Sequence, residues 1–97
     1  MPTYIILINY TDQGIRNVKD SPKRLDEAKK LLRYMGGEFK QFYLTMGAYD
    51  VATVVEGPSD EAIAKFALCV GSLGNVRTTT LKAFPEDEYR KIIAALP

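Results

Sequence analysis

The chain has 97 residues, 46% of them hydrophobic and 26% charged, with a formal net charge of +1. That is the composition of one ordinary globular domain spanning residues 1–97, and it lacks the clustered cation excess that a nucleic-acid backbone demands. Histidine and tryptophan are absent and cysteine occurs once, so neither a Ser-His-Asp arrangement, a histidine metal site nor an internal disulfide can be built from this chain.

No metal site and no cofactor is expected, and any catalysis would run on Tyr, Asp, Glu, Lys or Arg. No apolar run reaches the roughly 18 residues of a membrane span. The start, MPTYIILINY, carries no basic leader or small-residue cleavage site. With the unpaired Cys69, this makes a cytoplasmic location the expectation.

Thr3–Tyr10 reads as a central strand, because Tyr4, Ile5, Ile6, Leu7 and Ile8 are apolar on both faces. A long polar crossing follows, Asn9 to Arg24, about twice the usual roughly 2–6 residue connection. Ser21-Pro22 suits a helix start, Leu25, Ala28, Leu32 and Met35 fall at helical spacing, and Gly36-Gly37 ends the helix. Glu38–Met46 alternates, with Phe39, Gln41, Tyr43 and Thr45 on one face and Lys40, Phe42, Leu44 and Met46 on the other. Gly47-Ala48 makes a tight hairpin link to a strand over Tyr49–Glu56. A second helix from Ser59 to Leu73 is apolar on more than one side, which predicts burial on more than one side. Cys69 on it reads as inert packing. Asn75–Phe84 is the last strand. Pro85 opens a terminal helix with a Tyr89, Ile92, Ile93, Leu96 stripe and a solvated charged face.

The order strand–helix–strand, strand–helix–strand predicts an α+β, ferredoxin-like βαββαβ fold: a four-stranded antiparallel sheet with both helices on one face and a C-terminal helix. Two helices cover only one side of a sheet whose first and third strands are apolar on both. Each buried aliphatic side chain contributes about 1.5–3 kcal/mol, against an association cost of about 4–15 kcal/mol, so a homodimer or higher homo-oligomer with sheets face to face is expected. The alternative is a terminal helix folded back over the open face.

Gly47-Ala48-Tyr49-Asp50, the crossing QGIRNVKDSPKR and the strand segment GNVRTTTLKAF together resemble the GYD domain family, over nearly the whole chain. Ala48 separates Gly47 from Tyr49, so the name-giving triplet is interrupted. The resemblance implies a dimeric α+β barrel, a group with cofactor-free monooxygenases, isomerases, haem enzymes and ligand-sensing domains among its members. It supplies no reaction.

The candidate ligand-binding residues are Asn9, Tyr10, Gln13, Arg16, Lys19, Tyr43, Tyr49, Asp50 and Thr53. Tyr49-Asp50 at a hairpin mouth could move a proton or bind a polar ligand, but an aspartate after a turn more often bonds backbone N–H groups. Arg16, Lys19, Lys23 and Arg24 gather near a helix start and could hold a carboxylate or phosphate, or form a solvated rim balanced by Asp12, Asp20, Asp26 and Glu27. Thr53 and Thr78 to Thr80 add hydroxyls to an apolar sheet, as ordinary strand residues also do. The favoured function is a self-associating module that binds a small organic or anionic ligand, with no membrane or nucleic-acid partner. The alternatives are a cofactor-independent isomerase or monooxygenase with Tyr10, Tyr43 or Tyr49 and Asp50 as proton-handling groups, and a structural assembly subunit.

Overall fold

A computed structural model describes all residues, Met1–Pro97. Strand β1 (Thr3–Tyr10) leads through a short helix α1 (Asp12–Arg16) and a 3-10 turn (Val18–Asp20) into helix α2 (Ser21–Tyr34). Strands β2 (Glu38–Leu44) and β3 (Val51–Glu56), helix α3 (Asp60–Ser72), strand β4 (Val76–Ala83) and helix α4 (Glu86–Ala94) follow. The sheet order is β2-β3-β1-β4, with every neighbouring pair antiparallel. This is the expected ferredoxin-like arrangement, with β2 and β4 at the edges.

The register explains the core. Tyr4 sits opposite Val55, Ile6 opposite Thr53, and Ile8 opposite Val51, so these residues share the face under α2 and α3. Tyr4, Ile6, Leu32, Val55, Ile63 and Phe66 pack there as one buried cluster. The other face carries Ile5, Leu7, Ala52 and Val54, half-buried, with Tyr43 56% and Leu81 46% exposed. No helix lies over it.

Five features depart from the sequence expectations. The polar crossing is folded: Thr11 caps α1 by accepting a hydrogen bond from the Gly14 N–H, the capping chemistry that makes even a five-residue helix viable. Strand β2 slips by one residue at Lys40, between Phe39 and Gln41. The bulge brings Phe39 onto the same face as Phe42 and Leu44, opposite Val55, Thr53 and Val51, so strict alternation fails and three apolar side chains share the helix side of the strand, Phe39 half-buried and Leu44 74% exposed. The hairpin link is longer than expected, leaving Tyr49 and Asp50 outside β3. Helix α3 buries only Ile63 and Phe66; Leu68 is 74% exposed and Cys69 is exposed rather than packed, because the cover comes from one side only. Finally, α4 neither folds back over the open face nor packs closely on any element, and Tyr89, Ile92, Ile93 and Leu96 stand exposed. The chain is accordingly long, 51 × 31 × 18 Å, with a radius of gyration of 14.6 Å, above the roughly 12.5 Å of a compact chain this size.

Beneath α3, the Tyr4 hydroxyl donates to Asp60, which also meets Lys82 Nζ at 3.1 Å. Burial first, then the bond to Asp60 and its charge, push the Tyr4 phenol from 10.0 up to about 12. The bonds from Tyr4 and Lys82 hold the Asp60 carboxyl below its ordinary range. A raised phenol stabilises the fold fully below its unfolded value and loses that contribution as pH climbs toward the folded one. The denaturation midpoint should therefore stay level up to about pH 10 and fall from there toward about pH 12. Urea titrations of the wild type and Tyr4→Phe across this range check it: the gap between the two should be constant below about pH 10 and narrow above.

Candidate functional site

Helices α2 and α3 touch only sparingly and leave a cleft of about 710 Å³ between them, floored by the sheet. Its floor is the bulge-assembled row Phe39, Phe42 and Leu44, with Ile6, Ile8, Val51 and Thr53; its walls are Leu25, Ala28 and Leu31 of α2 and Phe66, Ala67 and Val70 of α3. The volume lies within the roughly 300–1,000 Å³ of small-molecule sites, as does the pairing of an apolar lining with a few polar groups. Those polar groups concentrate where β1 ends, α2 begins and α3 meets β4: Tyr10, Ser21, Lys23, Arg24, Asn75 and Thr78.

The crossing fixes this end of the cleft. The Thr11 N–H donates to the Asn75 carbonyl at 3.0 Å, and its hydroxyl to the Gly74 carbonyl at 2.6 Å. Gln13 Nε2 donates to the Leu73 carbonyl at 3.2 Å and to Asn75 Oδ1 at 2.9 Å. Gly14 lies so close to the α3–β4 corner that a Cβ there would collide with the Asn75 carbonyl oxygen. Only glycine permits that approach. From α2, Arg24 reaches back, donating to the Asn17 carbonyl at 3.0 Å and the Gly14 carbonyl at 3.3 Å.

The residues singled out in the sequence do not converge. Tyr10 and Thr53 line the cleft, but the buried Thr53 hydroxyl donates to the Ile6 carbonyl at 2.9 Å. Asn9 and Tyr43 lie on the opposite, bare face, as the register requires. Gln13 ties the crossing down, while Arg16 and Lys19 are exposed on it and do not line the cleft. The four-cation cluster is thus split: Lys23 and Arg24 reach the cleft.

Tyr49 and Asp50 belong to the hairpin. The Tyr49 carbonyl accepts from the Thr45 hydroxyl at 2.6 Å. Asp50 Oδ2 accepts from the Tyr10 N–H at 2.9 Å, and the Asp50 N–H donates to the Ile8 carbonyl at 2.9 Å and to Asn9 Oδ1 at 3.2 Å. The aspartate therefore extends the β1–β3 ladder past its last pair and clasps the hairpin to the end of β1. Phe39, Phe42 and Leu44 form one surface that strict alternation along β2 would have divided. Their apolarity was visible, but only the bulge puts them side by side.

The GYD domain family model matches residues 4–93. A Thermus thermophilus protein named "Glutamine synthetase and cystathionine beta-lyase binding protein" is 36% identical over 86 residues, 88% of this chain and 90% of that protein. Among solved structures, a protein of Thermus thermophilus superposes with a TM-score of 0.55 at 23% identity, over 87% of this chain and 94% of its own. The leucine response regulatory protein LrpA of Mycobacterium tuberculosis gives 0.54 at 21% identity, over 89% of this chain and 54% of LrpA. At these identities the two structures establish the shared fold alone.

The clasp predicts a specific hierarchy. Asp50→Ala leaves the Tyr10 N–H without its acceptor and should cost about 1–2 kcal/mol, whereas Asp50→Asn keeps an acceptor oxygen and should cost less than half of that. Equilibrium unfolding of the two variants checks it. Equal losses would show that the charge, not the acceptor, matters.

Proposed function

Since the chain belongs to the GYD domain family, we propose that it is a non-catalytic binding module that acts as a homo-oligomer and docks on other proteins, metabolic enzymes of the kind named for its Thermus relative among them. The observation that carries this is the bare sheet face together with α4. Only 11 of 97 residues are buried, a small core, while an apolar sheet face and an apolar helical stripe remain in water. Contiguous exposure of this kind marks an interaction surface.

A second copy suits the sheet face best. Sheets pack face to face at about 10 Å through interdigitated side chains, and Ile5, Leu7, Ala52 and Val54 offer a flat, uncharged centre for that. Seven residues at about 3.4 Å by four strands at about 4.8 Å give a projected face of roughly 450 Å², short of the about 800 Å² per partner typical of stable complexes. Helix α4, reaching beyond the body, supplies further area to the same assembly. The enzyme alternative lacks support at its base: the Asp50 carboxylate holds the Tyr10 amide and is outside the cleft lining. The cleft serves binding, as a site for a small molecule carried by the module.

Light scattering and sedimentation at micromolar concentration test the assembly. The wild type should run at a multiple of the chain mass. Val54→Lys, a cation in the middle of the bare face, should run as single chains with its circular dichroism unchanged. Purified glutamine synthetase and cystathionine beta-lyase of the same organism should co-sediment with the wild type. A wild type that stays single-chain would refute self-association.

A further inference from the structure

We propose that the cleft between α2 and α3 binds an amphipathic organic carboxylate, such as a medium-chain fatty acid, with its hydrocarbon over the sheet and its carboxylate at Arg24. The inference rests on the reading of the protein as a binding module and names the ligand class of its cavity.

Three observations converge. The cleft, about 710 Å³ and lined by 15 hydrophobic residues out of 23, leaves too little polar surface for a sugar or a nucleotide body. Apart from Thr53 on the floor, whose hydroxyl is already spent on the Ile6 carbonyl, its polar groups gather around the end of β1 and the start of α2, so the ligand must itself be polar at one end only. That end is cationic. Lys23 and Arg24 face one carboxylate, Glu27, and Glu27 sits 3.6 Å from Lys30. The Arg24 guanidinium is met by the carbonyls of Asn17 and Gly14 rather than by an acid. Two of its five N–H donors are used in this way, so the positive charge and three donors remain.

The held guanidinium is what makes the site selective. Its bonds to the crossing fix the side chain before any ligand arrives, so little rotamer entropy is lost on binding. The hydroxyls of Tyr10, Ser21 and Thr78 lie at the same end and can complete the hydrogen bonds of a carboxylate, while Ile6, Ile8, Phe39 and Val70 receive the chain. A phosphate monoester without an apolar body would forgo the hydrophobic contribution, and a neutral alcohol would forgo the charge.

The test uses decanoate, decanol and decylamine against the whole protein, by isothermal titration and thermal shift. Decanoate should bind one per chain and raise the melting temperature. Decanol and decylamine should bind about tenfold or more weakly, as loss of a charge-assisted bond implies. Ala67→Trp, which fills the cleft, should abolish binding. Equal affinity for decanoate and decanol in the wild type overturns the proposal whether or not that variant folds, and so does absence of decanoate binding at millimolar concentration. Native mass spectra of the same samples separate the two readings. An intact oligomer without decanoate rejects the cleft assignment alone, and single chains that still take up decanoate reject the assembly alone.

Discussion

Strand β1 sets the terms for the rest of the molecule. It runs through the middle of the sheet with apolar side chains on both faces, yet the connections place both long helices on one side. The helices bury Tyr4 and Ile6 completely, and the hydrophobic effect that drives this is indifferent to which surface provides the cover. On the far side the apolar surface stays uncovered, and the stripe of α4, held away from the body, stays uncovered with it. A chain of this size has a thin stability margin, and the uncovered apolar area contributes nothing to it in the single chain.

On the covered side, the helices do not close the space above the sheet. They are held apart by where their ends are tied: α2 through Arg24 to the crossing, α3 through the corner that receives Thr11, Gln13 and Gly14. The crossing that looked too long for a plain connection is thus a strut. It ties the end of β1 to the α3–β4 corner, beside the end of the cleft that Lys23 and Arg24 reach. Thr11, Gln13 and Asn17 on it serve the backbone rather than the cleft.

Much of this architecture was legible in the chain. The bounds of β1, α2, α3 and β4 followed from periodicity and from local punctuation such as Ser21-Pro22 and Gly36, whose positive φ of 90° terminates α2 as expected. The bulge at Lys40 was not legible, because it depends on what lies opposite β2, and a slip of one residue exchanges the two faces of a strand. Asn9 and Tyr10, neighbours on one strand, face opposite sides of the sheet, and Tyr43 opposite Ala52 lies on the side of Asn9, so the sheet separates both from Tyr10 and Thr53, with which they had been grouped. Helix α1 escaped notice since five residues with a central glycine carry no periodic signal; its stability comes from docking on Asn75. Asp50 was placed inside a strand beginning at Tyr49; it lies one residue before β3, and its carboxylate holds a backbone N–H, the commoner of the two roles open to an aspartate after a turn.

The two outer strands carry a further implication. The bulge at Lys40 interrupts the regular row of donors and acceptors along β2, and β4 bears Arg77 and Lys82. Both devices discourage another sheet from adding on laterally. Lateral growth is therefore discouraged at each border, so a chain with this much uncovered apolar surface is still guarded against adding strands edge to edge into a fibre.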